Sequence, residues 1–388
     1  MPEPPRLRVQ LTAFFITRAV INTMFRMVYP FLPVFARGLG VPVAELAGVV
    51  ALRSAIGMAA PFVGSAADRR GRRRGMLLGL GIFTFGAALV AVRPAYLPFV
   101  AAMLLTTVGK IIFDPAMQAY LGDRVGYDRR GQAIAVTEVG WSLAFLVGVP
   151  LMGWLIARGG WSAPFPWLAL AGCASALLLW RILAPDRPRG DEPSLRRGLS
   201  QLLRSPAPLA GLAFAALAAG ANETINIVFG VWLEASFGLR VAILGAAAAV
   251  IGLAELSGEG LVAGITDRLG KRRSLAIGLI GNSLACLALP YLARTPASAL
   301  VALFLFYLSF EFTVVSSIPM MTELFPEARA TLMSVNISAF SLGRAIGAAL
   351  GLALFRFGIG ANTLAVVALN LTALVVLLAF IGRGPRSP

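Results

Sequence analysis

The chain has 388 residues, 58% of them hydrophobic and only 13% charged, with a mean hydropathy of +0.81. An ordinary soluble domain carries about 25% charged residues, so this chain has too few to cover a water-facing surface, and lipid is the expected solvent for most of it. The 34 Lys and Arg against 18 Asp and Glu would suggest nucleic acid in a soluble protein. Here the excess falls in alternate loops and reads as membrane orientation, so no nucleic-acid partner is expected.

In chain order, twelve apolar stretches of about the length that crosses a bilayer are expected. They fall at roughly 9–36, 43–66, 75–93, 96–121, 132–157 and 163–183, then 207–234, 241–265, 274–293, 297–321, 331–356 and 360–382. Met1 to Arg8 reads as a basic lead into the first helix and not as a removed signal. Sorting the basic residues by loop puts 23 on one side and 6 on the other, which places both termini on the cytoplasmic side of the cell membrane.

The expectation is an all-α membrane protein of twelve transmembrane helices in two six-helix, pseudo-symmetric halves. The boundaries fall at about 1–184 for the N-terminal bundle, 185–206 for a cytoplasmic linker and 207–388 for the C-terminal bundle. Within the linker, Ser194 to Arg204 could lie on the membrane surface as a short amphipathic helix. Cys173 and Cys286 lie in apolar runs and there is no histidine, so neither a disulfide framework, a metal site nor a cofactor is expected. The loops leave no room for an enzymatic domain, and a monomer is expected.

Between the second and third stretches lies Gly64-Ser65-Ala66-Ala67-Asp68-Arg69-Arg70-Gly71-Arg72-Arg73-Arg74-Gly75. The pattern returns as Gly264-Ile265-Thr266-Asp267-Arg268-Leu269-Gly270-Lys271-Arg272-Arg273, again between apolar runs. An offset of about 200 also sets Asn22 opposite Asn222, and Asp123-Arg124 opposite Glu323-Leu324, as in parallel repeats of six spans.

This G-x-x-x-D-R-x-G-R/K-R-R loop resembles the signature loop between the second and third helices of major facilitator superfamily transporters. The resemblance implies substrate binding between the halves near the midplane. It also implies that Gly64, Asp68, Arg69, Gly71 and Arg72, with Gly264, Asp267, Arg268, Gly270 and Lys271, latch the cytoplasmic side of the outward-facing state. Physically, Gly64 and Gly264 would let neighbouring helices approach closely. Asp68 and Asp267 would bond an adjacent helix N-terminus or an arginine, while the arginine run would pair with those carboxylates and with lipid phosphate. Plain topology charge is the other reading of the arginine runs.

In the fifth stretch, Gly140 to Gly153 resembles the Gly/Pro-rich fifth-helix motif of proton-driven efflux members. Gly140, Gly148, Pro150 and Gly153 would give it a small-residue packing face and a flexible point. Val149 separates the glycine and proline usually adjacent there. Ordinary helix packing is the alternative, since Gly343, Gly347 and Gly351 make a similar face in the eleventh stretch. The fourth stretch departs from the efflux pattern: Leu105, not an arginine, stands four residues before Gly109, and the nearby base is Lys110.

Ionisable residues inside spans are expensive unless paired or hydrated. Arg18, Asn22 and Arg26 form one stripe on the first helix, and Lys110, Asp114 and Gln118 another on the fourth. Asn222, Glu223 and Asn226 give the seventh a polar patch. With Glu138, Glu255, Glu311 and Arg344 these groups are expected to line a polar central cavity in which a carboxylate can carry a proton; structural ion pairs are the alternative for any one of them. Glu259 is assigned to the latch network.

The function expected is secondary active transport by alternating access, with proton-coupled efflux of small, amphipathic molecules. The partners would be a small-molecule substrate, H+ and membrane lipids. Uptake of an anionic or polar nutrient, a lipid flippase and, least, a membrane enzyme are the rivals; the chain lacks a nucleophile–base constellation and a phosphate-cradling loop.

Overall fold

A computed structural model describes residues 5–62, 71–186, 195–326 and 329–381. The helices are α1 (Pro5–Arg26), α2 (Val28–Leu39), α3 (Val43–Gly57), α4 (Arg72–Val92), α5 (Tyr96–Arg124), α6 (Tyr127–Leu143), α7 (Val149–Gly159) and α8 (Pro164–Ile182). They continue with α9 (Leu195–Leu202), α10 (Pro206–Asn226), α11 (Phe229–Phe237), α12 (Val241–Leu269), α13 (Lys271–Leu292), α14 (Pro296–Leu324), α15 (Arg329–Phe355) and α16 (Ile359–Phe380). Among the described residues there is no strand.

Ten helical stretches of the described residues are long and apolar enough to cross a membrane, or eleven if α1 and α2 count as one span bent by 50°. The second of the twelve expected spans runs from α3 into residues 63–70, outside the described residues. The bend between α1 and α2 has a chemical cause. Pro30 has no N–H to give the Arg26 carbonyl four residues back, and its ring crowds that turn. Large apolar side chains such as Phe85, Leu97, Trp167, Leu170 and Val375 point outward, as a lipid-facing surface requires.

Contacts group the chain into two units. One holds Met1–Val49, Phe62–Gly190 and Arg240–Gly252; the other holds Val50–Pro61, Asp191–Leu239 and Leu253–Pro388. Residues of α3 and α12 therefore enter both. In the first unit α4 packs on α5 and α8, and α1 on α6 and α8; in the second α13 packs on α14 and α16, and α10 on α15 and α16. These are the same pairings one repeat later.

The backbone repeats as well. Among the described residues, the positive-φ glycines are Gly40, Gly71, Gly160, Gly238, Gly270 and Gly358. They fall in three pairs separated by 198 (40 to 238), 199 (71 to 270) and 198 (160 to 358) residues. Gly40 and Gly238 end equivalent helices, Gly71 and Gly270 begin equivalent ones, and Gly160 and Gly358 lie in equivalent turns, ending α7 and beginning α16; a side chain would strain each of these conformations.

The linker helix α9 forms, but its apolar side is occupied by protein. Leu202 is buried in a core cluster of the second unit with Leu275, Met321, Leu332 and Leu377. A Cβ at Gly198 would come 2.4 Å from Thr331 Oγ1. The helix expected from the sequence thus packs on protein through Leu202 and Gly198.

Candidate functional sites

In the first unit, the polar stripes of α1 and α5 meet Glu138 of α6. Arg18 lies 2.6 Å (NH1) from Glu138 Oε1, and its NH2 donates to Glu138 Oε2 at 3.0 Å. Arg18 Nε also faces Asp114 Oδ1 at 3.3 Å. Lys110 Nζ donates to Asp114 Oδ2 at 2.6 Å and to Asn22 Oδ1 at 2.7 Å. Gln118 Nε2 donates to Glu138 Oε1 at 3.3 Å. Two bases and two acids thus make one cross-linked array over three helices, the arrangement that makes intramembrane charge tolerable.

Arg26, one turn beyond Asn22, takes a different environment. Its NH1 donates to the Trp141 carbonyl at 2.9 Å. The guanidinium carbon stands 4.2 Å from the Trp141 ring centroid and 3.5 Å from that of Phe145, within cation–π range.

The fifth-span glycines bring these helices together. A Cβ at Gly140 would come 3.0 Å from the Phe15 carbonyl, and one at Gly148 only 2.0 Å from Thr23 Oγ1. One at Gly153 would meet Phe31 Cζ at 2.9 Å and the Gly245 Cα at 3.3 Å. Between α6 and α7 the residues Ala144–Gly148 form a π-helical turn, and Pro150 lies in the first turn of α7. The motif therefore marks a real irregularity beside a tight seam with α1.

The second unit has its own seam and polar group. A Cβ at Gly343 would lie 2.0 Å from the Ala216 carbonyl; one at Gly347 would lie 2.5 Å from the Gly220 carbonyl and 2.9 Å from Glu223 Cβ. Glu223 is fully buried; its Oε2 accepts from Asn226 Nδ2 at 3.2 Å, and Arg344 Nε stands 3.8 Å away. Asn226 Oδ1 in turn accepts the Tyr307 hydroxyl at 2.9 Å. Asn222, Glu255 and Glu311 are also buried. A Cβ at Gly258 would come 2.9 Å from Glu311 Cβ, which places Glu311 against α12.

Of the signature loops, Gly64, Asp68 and Arg69 lie outside the described residues, as does the side chain of Asp267. Gly71 and Gly270 sit at the N-caps of α4 and α13 with φ of 103° and 82°. Arg72 pairs with Asp123 and Lys271 with Glu323, the carboxylates that end α5 and α14. Arg73 NH2 donates to the Trp180 carbonyl, and Arg272 NH2 to that of Leu378 at 2.6 Å. Both loops thus anchor the start of one helix to the ends of two others, in equivalent ways.

One sequence expectation needs correction here. Gly264 allows no close helix approach among the described residues, since a Cβ there would meet nothing within 4 Å. The expected pairing of the arginine run with Asp68 and Asp267 falls on side chains outside the described residues; Arg72 and Lys271 reach Asp123 and Glu323. Those partners were visible only as the aligned pairs Asp123-Arg124 and Glu323-Leu324, with nothing in the sequence to say what they met. Asp186 was missed as well: its carboxylate accepts from the backbone N–H of Arg73 at 2.8 Å and of Arg74 at 3.1 Å, capping α4. Arg268 is exposed in the last turn of α12. Among the described residues no group of three or more His, Cys, Asp or Glu is placed to hold a metal ion.

Apolar helices, a duplicated unit and charge arrays within the spans define a multi-pass membrane transport protein. The model of the Major Facilitator Superfamily matches residues 14–222 and 210–388, and the chain belongs to that superfamily of transporters. It is 30% identical over 352 residues to the inner membrane transport protein YdhP of Escherichia coli K12, covering 90% of this chain and 89% of that one. Over 150 residues it is 35% identical to a multidrug resistance protein B homolog of Mycobacterium tuberculosis, covering 38% of this chain and 27% of the relative. Among solved structures, a bacterial homolog of the human lysosomal transporter Spinster, inward-facing and unoccupied, aligns with a TM-score of 0.77 at 14% identity, over 98% of this chain and 96% of that one. Secondary transport is therefore the class of activity.

Proposed function

We propose that this chain is a proton-coupled exporter of small amphipathic molecules working by alternating access. The observation that carries the reading is the array Arg18–Asp114–Lys110–Glu138, in which acids and bases sit close enough to exchange partners when a proton or substrate arrives. Export as the direction is supported by the fifth-span glycine seam and by the partial likeness to a multidrug resistance protein homolog.

In this reading the loops headed by Gly71 and Gly270 hold the cytoplasmic ends, with Arg72–Asp123 and Lys271–Glu323 as their clasps. Asp68 and Asp267 contribute to the same latch, and Glu255 and Glu311 to the polar cavity. The protein acts as a monomer in the cell membrane with both termini cytoplasmic. Its halves are about 1–184 and 207–388, joined by a cytoplasmic 185–206.

The test is transport of ethidium, a lipophilic cation, by the purified chain in liposomes under an imposed pH gradient. Ethidium movement that a protonophore abolishes supports the reading. Movement indifferent to the gradient overturns proton coupling, and gradient-driven uptake of an organic anion in its place overturns the substrate and direction.

A further inference from the structure

The polar group on α10 sits at a break in the helix. α10 ends at Asn226 and α11 starts at Phe229, and the hydrogen-bond ladder changes between them. In a regular helix the Val228 N–H would bond the Thr224 carbonyl. Here it bonds Ile225 at 3.0 Å, while Asn362 Nδ2 of α16 takes the Thr224 carbonyl at 3.1 Å and the Gly351 carbonyl at 2.7 Å. A Cβ at Gly351 would be 2.6 Å from Ile227 Cγ2 and 2.7 Å from the Thr224 oxygen, so α15 presses directly on the break. Tightened i→i+3 turns inside long helices commonly mark hinges.

Glu223 stands one turn before this break and Asn226 at its edge. A carboxylate has room for about four hydrogen bonds. Glu223 Oε2 accepts one, from Asn226, and Oε1 is buried with no hydrogen-bond partner among the described residues. From α15 comes Arg344, whose Nε at 3.8 Å from Oε2 is beyond hydrogen-bond distance. On α14, Tyr307 is bonded to Asn226 and Glu311 lies against α12. α16 carries no charged residue.

We infer that Glu223, Asn226 and Tyr307 form a proton-operated hinge in the seventh span, with Glu223 Oε1 as the proton-binding atom. A proton from water on one side bonds to Oε1 and makes the side chain neutral; its release to water on the other side restores the carboxylate. The carboxylate form draws in the Asn226 amide and Arg344, because charge-assisted hydrogen bonds are shorter and stronger than neutral ones. Asn226 is tied to Tyr307, so that pull is exerted on the end of α10. Protonation relaxes it and lets α11 move relative to α10. This deepens the proposed proton coupling and rests on it, while reading a property of the hinge that needs no substrate.

The test is hydrogen exchange of the segment 220–237 in the full chain in nanodiscs, at acidic and alkaline pH, each corrected for intrinsic exchange. The wild type should show a several-fold change in protection, and Glu223→Gln should hold the acidic pattern at both. Tyr307→Phe, which leaves the carboxyl in place, should blunt the response. The infrared protonated-carboxyl signal gained at acidic pH should lose one component in Glu223→Gln and keep it in Tyr307→Phe. The same pH response in Glu223→Gln as in wild type overturns the hinge, even if ethidium transport remains driven by a pH gradient. A wild-type hinge response without gradient-driven transport overturns the coupling reading instead.

Discussion

Arg18 and Glu138, 120 residues apart, meet with both terminal guanidinium nitrogens on the two carboxylate oxygens. The pair has one wet side, since the Glu138 side chain is 43% exposed, while the second acid on Arg18, Asp114, is 18% exposed. The acid nearer water loses less when neutralised, because solvent screens what remains.

Neutralising Asp114 should therefore cost more than neutralising Glu138. Asp114→Asn leaves both Arg18 and Lys110 without that carboxylate, and removing one partner of a buried pair costs about 3–5 kcal/mol. Glu138→Gln should cost well under half of that. Thermal unfolding in detergent would check the order; equal losses would contradict the network as drawn.

The seam glycines should not tolerate a methyl group. At Gly343 the clash is with a backbone oxygen, 2.0 Å from the added Cβ, which no rotamer change can relieve. Gly343→Ala should cost about 1–3 kcal/mol, the usual range for overpacking. Gly264→Ala is the contrast: the site is helical and its Cβ would meet nothing within 4 Å among the described residues, so removing glycine there should stabilise by about 0.5–1 kcal/mol. Paired melting curves of the two variants would show opposite signs.

Reversing the Arg72–Asp123 clasp should be repairable. Arg72→Asp and Asp123→Arg should each impair ethidium transport, and the double swap should restore part of it. Lys271–Glu323 is more open, with side chains 35% and 62% exposed, so breaking it should change stability by about 0–1 kcal/mol at most. Transport rates of the single and double variants in liposomes would decide; no rescue would mean that the first clasp acts through more than its charge.

Asp186 should behave as a helix cap. Asp186→Ala leaves the backbone N–H groups of Arg73 and Arg74 without their acceptor and should destabilise by about 1 kcal/mol, with Asp186→Asn restoring most of it. Hydrogen exchange at the first turn of α4 would read this directly.

The pattern of apolar lengths, the duplicated charged loop and the sorting of basic residues were legible because each is a local property of composition and order. Lipid demands continuous apolar helices whatever they pack against, and a repeat shows itself at a fixed offset. The polar stripes on α1 and α5 were legible too, because helical spacing alone puts such residues on one face.

Partner choice was not legible. That Arg18 meets Glu138, that Arg72 takes Asp123, or that Asn362 takes the Thr224 carbonyl depends on which helices lie side by side and at what height. Small residues at Gly148, Gly343 and Gly351 set those distances through backbone contact. Hydrophobic length and charge placement answer to the solvent, so a duplicated, membrane-spanning helical transporter can be read from residue order alone. Which charges neutralise one another and where α10 breaks hang on contacts between residues far apart in the chain, and those exist once the helices have packed.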